Sequence, residues 1–350
     1  MKQSYTHATG GAKRNIRIAE LALYVLSAAT VFSALSGCGS SANVEASSNA
    51  SATNSDSAAI ASASKLPDGS QDRPLRVMLV PADGGTESGT RSDFEPVFNA
   101  VTKNYGLHFE IRVGQSYNTV VEAMSNQLVD IAFFGAVSYQ LARDRNAAQL
   151  LAVEERDRTS IYYSGIFCLA DSGINTLADL KGKSVAFGDV NSTSSFNYPV
   201  AMLVNGGIDP ARDLDRIILA GSHANSLQAL DGGKVAAACA SLDSYEKAVV
   251  AGTLDPKKIK LLKKSDPIPS PPLAMHVNLS AKTKQKLKQA FGNVHLQPGV
   301  PKESIRGYAG KIVDRYNAEF PETKFDEAMA PLVAVTKELK DAMVRKAAER

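Results

Sequence analysis

The chain has 350 residues, of which 44% are apolar and 21% are charged, and its formal net charge is +3. Residues 1–37 carry four cations and one carboxylate, so the rest of the chain has a formal charge of 0 and no basic patch for nucleic acid. The five histidines are scattered and no Cys/His spacing is typical of a metal site, so we expect no metal and no cofactor.

Residues 1–37 are predicted to be a lipoprotein export signal. A basic segment around Lys13 and Arg17 precedes an apolar stretch over residues 21–35, which is too short to span a bilayer comfortably. The stretch ends in Leu35-Ser36-Gly37-Cys38, the pattern that lipoprotein signal peptidase accepts. We expect an acylated Cys38 to start the mature chain and to hold it on an extracytoplasmic face of a bacterial membrane. The alternative is an uncleaved amphipathic anchor with an incidental cysteine.

Residues 38–73 are predicted to be a flexible tether. Through Ser64 the composition is dominated by Ser, Ala, Asn and Thr, and such a segment cannot bury a core. The remaining 277 residues suit two lobes of ordinary size. We assign residues 74–163 and about 271–350, with the C-terminal helices, to the first lobe and residues 164–270 to the second.

Strands and helices alternate in two successive runs of the globular chain. The first run predicts strands at residues 75–80, 107–113 and 131–134, with helices at 93–105 and 117–127. The second run predicts strands at 165–169, 184–187, 216–219 and 236–240, with helices at 177–180, 199–205 and 224–231. This order predicts an α/β fold with two lobes, each built on a parallel sheet with helices on both faces. Ligands of such sheets bind at the carboxyl ends of the strands.

The strand at 184–187 leads into a cluster of hydroxyl side chains that opens a helix. Ser192, Thr193 and Ser194 follow the strand, and Pro199 fits only the first turn of a helix, so we expect the regular helix to begin near Ser195. The first amides of a helix have no intrahelical partner and lie at the positive end of its dipole. The cluster therefore predicts a site for a tetrahedral oxyanion. The alternative is an ordinary helix N-cap.

Two cysteines remain in the globular part, Cys168 and Cys239. Each lies in an apolar, strand-like segment. In an oxidising compartment they can pair, and as buried thiols they can equally stay free, so the sequence leaves both possibilities open.

Several segments in order along the chain carry a family resemblance. They are Leu75-Arg-Val-Met-Leu-Val-Pro81, Ser116-Tyr-Asn-Thr-Val-Val-Glu-Ala-Met124, Val129-Asp-Ile-Ala-Phe-Phe-Gly135, Leu177-Ala-Asp-Leu-Lys-Gly-Lys-Ser-Val-Ala-Phe-Gly-Asp189, Asn191-Ser-Thr-Ser194, Ala220-Gly-Ser-His223 and Pro267-Ile-Pro-Ser-Pro-Pro272. Together they resemble the substrate-binding components of phosphate, phosphite and phosphonate ABC transporters. The resemblance implies a two-lobed, type II-like periplasmic binding protein whose lobes are joined by two crossover strands. It also implies capture of a small phosphorus oxyanion between closing lobes.

The resemblance assigns a set of ligand-binding residues. The matching positions are Tyr117, Tyr162, Ser192, Thr193, Ser194, His223 and Asp243. Phenols and hydroxyls donate to an oxyanion without a full counter-charge, so a neutral protein can bind it and still release it. The alternative for His223 is a helix-start or core residue. Asp243 would accept a proton-bearing ligand oxygen, pair with a ligand amine, or orient His223.

Pro271 departs from the pattern of the relatives that bind aminoethyl-type phosphonates. Those proteins have a second carboxylate at the matching position, and without it a buried ligand ammonium has only Asp243 as partner. We therefore expect phosphite, phosphate or a short alkylphosphonate. The implied partners are an ABC permease with its ATPase and the membrane that holds the lipid anchor, and we expect the protein to be a monomer.

Two other functions remain open from the sequence. One is an extracytoplasmic phosphoesterase with Ser194 as nucleophile and His223 as base, although the chain has no Gly-x-Ser-x-Gly elbow and no metal spacing. The other is a binding protein that signals to a sensor partner instead of feeding a permease.

Overall fold

The structure is a computed structural model that describes residues 67–82 and 87–349. The predicted export signal, Cys38 and most of the predicted tether lie outside the described residues. None of the helices in the described part is long and apolar enough to cross a membrane.

The described elements alternate between strands and helices along the chain. The strands are β1 (Leu75–Leu79), β2 (Phe109–Val113), β3 (Ile131–Phe133), β4 (Ala148–Glu155), β5 (Ile161–Tyr162), β6 (Ser164–Leu169), β7 (Ser184–Phe187), β8 (Arg216–Leu219), β9 (Ala237–Ser241), β10 (Ile259–Lys264), β11 (Ile268–Pro269), β12 (Pro272–His276) and β13 (Arg315–Asn317). The α-helices are α1 (Glu87–Tyr105), α2 (Tyr117–Ser125), α3 (Ala136–Asp144), α4 (Tyr198–Asn205), α5 (Pro210–Asp213), α6 (His223–Asp231), α7 (Leu242–Val250), α8 (Ala281–Asn293), α9 (Thr323–Met329) and α10 (Lys337–Ala348). A π-helical segment spans Thr193–Asn197, and short 3-10 segments span Leu177–Leu180, Val294–Leu296, Lys302–Ser304, Tyr308–Gly310 and Ala330–Leu332.

Two mixed sheets form the centres of two lobes. The first has the strand order β13-β4-β12-β3-β1-β2, and the second has the order β10-β6-β9-β7-β8. In each sheet three strands are parallel, β2-β1-β3 and β8-β7-β9, and each strand beyond them pairs with its neighbours in antiparallel register. The prediction of parallel sheets is therefore right for these three strands of each sheet and wrong for the pairing of the strands next to the connections. β6 and β12, the first strands after the two connections, run opposite to the parallel strands, whereas β4 and β10, which lead into the connections, run with them.

Two connections join the lobes. One runs from β4 through β5 into β6, and the other runs from β10 through β11 into β12. β5 and β11 pair with each other in antiparallel register, Ile268 opposite Tyr162 and Pro269 opposite Ile161. The two crossovers therefore form one small ribbon between the lobes.

The apolar cores follow the two sheets. Phe94, Phe98 and Phe291 belong to the core of the first sheet, whereas Phe187 and Phe167 belong to the cores on the two faces of the second. Our assignment of all C-terminal helices to the first lobe is wrong for α10. This helix packs against β8 and α5, because its buried Met343 and the preceding Val335 join the apolar core of the second sheet.

Several of the helices that follow a strand have a serine as their N-cap residue. The Ser116, Ser222 and Ser241 side chains accept hydrogen bonds from the third following backbone amide, at the N-termini of α2, α6 and α7. Each serine follows or ends a strand, so the chain turns from strand to helix at the carboxyl edge of the sheet. The residues at these turns meet in the cleft between the lobes.

Cys168 and Cys239 lie on the neighbouring strands β6 and β9. Both are buried free thiols, and burial raises the pKa of Cys239 well above its ordinary value.

Candidate functional site

A small closed cavity lies between the two lobes, at the carboxyl ends of strands from both sheets. Its lining consists of Val80, Ala82, Tyr117, Phe133, Gly135, Tyr162, Ser192, Thr193, Ser194, His223, Pro271 and Tyr308. Six of the seven sequence-predicted ligand residues are therefore together around one cavity, and Asp243 is not among its lining residues. The space open to the centre of a water molecule is about 10 Å³, which is near the lower limit for holding one water.

The hydroxyl cluster begins at an N-cap. Ser192 has extended backbone angles, and its Oγ accepts a hydrogen bond of 3.2 Å from the amide of Ser195. The segment Thr193–Asn197 is π-helical, since the amide of Asn197 bonds the carbonyl of Ser192 at 3.1 Å. The regular α-helix thus begins at Tyr198, three residues later than expected from Pro199. The wider first turn places the 192–194 hydroxyls in one buried cluster.

His223 is held as a neutral hydrogen-bond donor. Its Nδ1 accepts the backbone amide of Ser241 at 2.9 Å, so a neutral ring carries its proton on Nε2. Nε2 lies 3.5 Å from the hydroxyls of Tyr117 and Ser192 and 3.4 Å from that of Tyr308. Complete burial lowers the pKa of His223 to about 3, against a small opposing effect of the Asp243 charge. The ring therefore points an N–H group at the hydroxyls of the cavity.

Three tyrosines contribute phenols to the cavity. Burial raises the pKa of Tyr162 well above its ordinary value, so its hydroxyl keeps the proton that it can donate. The Tyr308 hydroxyl is 2.9 Å from each of the hydroxyls of Ser241 and Ser244. Sequence reasoning missed Tyr308, because this residue lies in a short 3-10 segment outside the strand and helix alternation. No pattern in its neighbourhood indicates a ligand contact.

The cavity lining contains hydroxyls and one imidazole but no residue with a formal charge. Such a lining can donate several hydrogen bonds to an oxyanion while the protein itself supplies no counter-charge. In residues 67–82 and 87–349 no group of three His, Cys, Asp or Glu residues is arranged to hold a metal ion.

Asp243 lies in the first turn of α7 and is nearly buried. Its carboxylate forms ion pairs with Arg156 Nη2 at 3.1 Å and with Lys311 Nζ. It does not orient His223 through Nδ1, since that nitrogen is bonded by the amide of Ser241. Of the three roles considered for Asp243, the one directed at His223 is therefore wrong.

Besides the contacts of Arg156, Tyr308 and Lys311 with the second lobe, at least four more cross the cleft and hold the lobes together. The Ala82 carbonyl accepts the His223 amide at 3.1 Å, and Thr193 Oγ1 accepts the Val137 amide at 2.9 Å. The Asp189 carboxylate accepts the Tyr117 amide at 3.3 Å. The fourth contact is a 2.6 Å ion pair between Lys247 on α7 and the largely buried Asp93 on α1. The structure is therefore in a closed form.

Comparisons with known proteins agree on one family. The family model described as "ABC transporter, phosphonate, periplasmic substrate-binding protein" matches residues 85–304. The phosphate-import protein PhnD of Mycolicibacterium smegmatis is 29% identical over 229 residues, which cover 62% of this chain and 71% of that protein. The phosphonates-binding periplasmic protein of Escherichia coli is 28% identical over 233 residues, covering 65% and 68%.

Solved structures share the fold. The binding component of an ABC phosphonate transporter from Pseudomonas aeruginosa has a TM-score of 0.64 at 21% identity, covering 79% of this chain and 95% of that one. PhnD1 of Prochlorococcus marinus, solved in complex with methylphosphonate, has a TM-score of 0.64 at 16% identity, covering 73% and 96%. At these identities the structural likeness shows the fold alone.

Proposed function

Because the chain belongs to the periplasmic substrate-binding proteins of phosphonate ABC transporters, we propose that it captures a small phosphorus oxyanion between its lobes. Phosphite, phosphate and short alkylphosphonates are the proposed ligands, and an ABC permease with its ATPase is the proposed recipient. The observation that carries the proposal is the closed cavity with three phenols, the 192–194 hydroxyls and the His223 imidazole. All of these groups are neutral donors, so they can match the oxygens of one tetrahedral head group.

The charge of the site favours a ligand without an amine. As it stands the cavity has room for about one water, so the lobes would have to separate slightly to admit any tetrahedral head group. Pro271 lines the cavity where the aminoethyl binders have a carboxylate, and Asp243 already has two cationic partners. A ligand ammonium would therefore lose its hydration without gaining a free carboxylate. The name of the phosphate-import relative from Mycolicibacterium smegmatis supports the same choice.

Calorimetry tests the ligand class. We expect phosphite, phosphate or methylphosphonate to bind most tightly in a panel that also contains 2-aminoethylphosphonate and sulfate. Tightest binding of the aminoethyl compound would contradict the argument from Pro271, and binding of none of the phosphorus compounds would contradict the proposed function.

Lobe closure on the ligand is the proposed mechanism. The lobes, residues 74–163 with most of 271–350 and residues 164–270, would rotate about the paired crossovers β5 and β11. Small-angle scattering with saturating phosphite or methylphosphonate should show a smaller radius of gyration than the ligand-free protein. A radius that stays constant while calorimetry shows binding would count against closure.

Lipid anchoring through Cys38 is a further part of the proposal. Cys38→Ser removes the thiol to which the lipid is attached, so we expect the precursor to remain unprocessed and to incorporate no fatty-acid label. Metabolic labelling of the wild type and the variant measures this. Label in the variant would show that the anchor lies elsewhere.

The geometry disfavours the phosphoesterase. A general base needs a free lone pair on the nitrogen that faces the nucleophile, but the Ser241 amide occupies Nδ1 of His223 and leaves the proton on Nε2. The nearest serine hydroxyl to Nε2 belongs to Ser192, not Ser194, and Asp243 bonds other partners.

A sensing role differs from transport only in the partner, and binding of the purified protein to the permease complex or to a sensor kinase distinguishes them.

A further inference from the structure

A turn from the C-terminal part of the chain borders the ligand cavity. The turn comprises residues 307–311, and the residues directly before and after it, Arg306 and Ile312, form an antiparallel bridge. It carries Tyr308, which lines the cavity, and Lys311, which bonds Asp243. One five-residue segment thus touches both the cavity and the nearly buried carboxylate beside it.

The shape of this turn is fixed by residues of the first lobe. Glu154 Oε2 accepts the amide of Tyr308 at 2.5 Å, and the Gly307 amide bonds the Lys311 carbonyl at 2.9 Å. Ala309 and Gly310 have left-handed backbone angles, with φ of 59° and 70°. A side chain at Gly310 would also meet Asp93 Oδ1 at 2.6 Å. The turn is therefore a preformed element and not a loose loop.

Polar groups of the second lobe contact the turn. Lys311 Nζ bonds the carboxylates of Asp243 and Glu246, and its side chain is 23% exposed. The Asp243 carboxylate is only 8% exposed, and its charge acts on His223 and Tyr162, both of which line the cavity. A carboxylate at this place would attract a cationic ligand group if it were free. In this chain the Lys311 ammonium and the Arg156 guanidinium are already bonded to it.

We propose that the 307–311 turn determines the specificity of the site, with Lys311 in the place of a ligand ammonium. Lys311 and Arg156 together neutralise Asp243, and Tyr308 of the same turn lines the cavity. The site therefore rejects phosphonates with a cationic substituent and accepts head groups with none. This inference rests on the proposed function, because it concerns the ligand of the same cavity.

The test compares two ligands of similar size in calorimetry, 2-aminoethylphosphonate and propylphosphonate. Lys311→Met keeps an apolar chain but removes the ammonium, and the Asp243 and Glu246 carboxylates then have only the Arg156 guanidinium beside them, on Asp243, so the affinity ratio of the amino compound to the propyl compound should rise at least tenfold. The double variant Tyr308→Ala/Lys311→Met provides more room and should raise the ratio further. Adding Asp243→Asn to Lys311→Met should cancel the gain. Lys337→Met, which breaks only the exposed pair with Asp341, is the control and should leave the ratio unchanged.

An unchanged ratio in Lys311→Met and in the double variant would overturn the proposal. Equal losses for both ligands would do so too, because Lys311 would then only hold the lobes together. Because the ratio compares two ligands on one protein, a general loss of stability does not change it. If the wild type binds no phosphorus oxyanion at all, the proposed function fails, and this proposal fails with it.

Discussion

Alanine at Thr193, Ser194 or His223 is expected to raise the dissociation constant of the bound oxyanion about ten- to a hundredfold for each substitution. Each change removes one hydrogen bond to a charged group, which is worth roughly 1.5 to 3 kcal/mol. If Thr193 and Ser194 served only as helix-start residues, alanine would lower stability by about 0.5 to 2 kcal/mol and leave affinity nearly unchanged. Calorimetry and thermal unfolding of the same variants separate the two cases.

Ser195→Ala is the matched control for these substitutions. Ser195 is fully buried in the same segment, and among the described residues its Oγ has no hydrogen-bond partner. Alanine there removes no bond to the ligand, so affinity should change far less than in the Thr193 and Ser194 variants. His223→Gln keeps a side-chain donor and should retain more affinity than His223→Ala. Unchanged binding in all three alanine variants would show that the ligand binds elsewhere.

Gly135→Ala is expected to weaken ligand binding more than tenfold while changing thermal stability little. Gly135 has a φ of −82° and a ψ of 165°, which suit any residue, so the first lobe can accept alanine by itself. The added methyl group would meet Thr193 Oγ1 at 2.9 Å, a contact that exists only when the lobes are closed. The substitution therefore opposes closure and not folding. Titration calorimetry gives the affinity, and scanning calorimetry gives the unfolding temperature.

A double-mutant cycle and a substitution at a second glycine test the steric explanation of this prediction. Gly135→Ala combined with Thr193→Ala should bind almost as well as Thr193→Ala alone, since the clashing hydroxyl is gone. Gly188→Ala instead places its methyl group against the Ser195 side chain within the second lobe, so it should lower the unfolding temperature. Strictly additive losses for the Gly135 and Thr193 pair would contradict the steric explanation.

The parallel strands of both sheets could be predicted from the sequence because they are short apolar runs between turn residues. The strands predicted at 184–187 and 216–219 have these bounds in the structure. The sequence of β4 did not predict a strand, because its Ala, Gln, Leu and Glu residues favour helix. Its partners β12 and β13 come from more than a hundred residues later, so tertiary pairing overrides its local preference.

The residues of the candidate site were likewise predictable only in part. The 192–194 hydroxyls and His223 follow strands, and this placement is visible in the sequence as an apolar run that ends in polar residues. Tyr308 is placed at the cavity by the left-handed backbone of Ala309 and by the hydrogen bond of its amide to the buried Glu154. No local sequence pattern indicates either feature. The pairing of Asp243 with Arg156 and Lys311 was likewise not predictable, because it joins three segments that are distant in the chain.

The strand order of the first sheet has a consequence for the order in which the protein can assemble. β12 lies between β3 and β4, and the whole second sheet is encoded between β4 and β12. The second sheet therefore has all its strands by residue 264, whereas β4 cannot join the first sheet until β12 has emerged. Contacts of long sequence separation form late in folding, because ordering the intervening chain costs entropy before any pairing is gained. A nascent chain interrupted within α8 would already contain every strand of the second sheet, while the first sheet would still lack its edge strand β13.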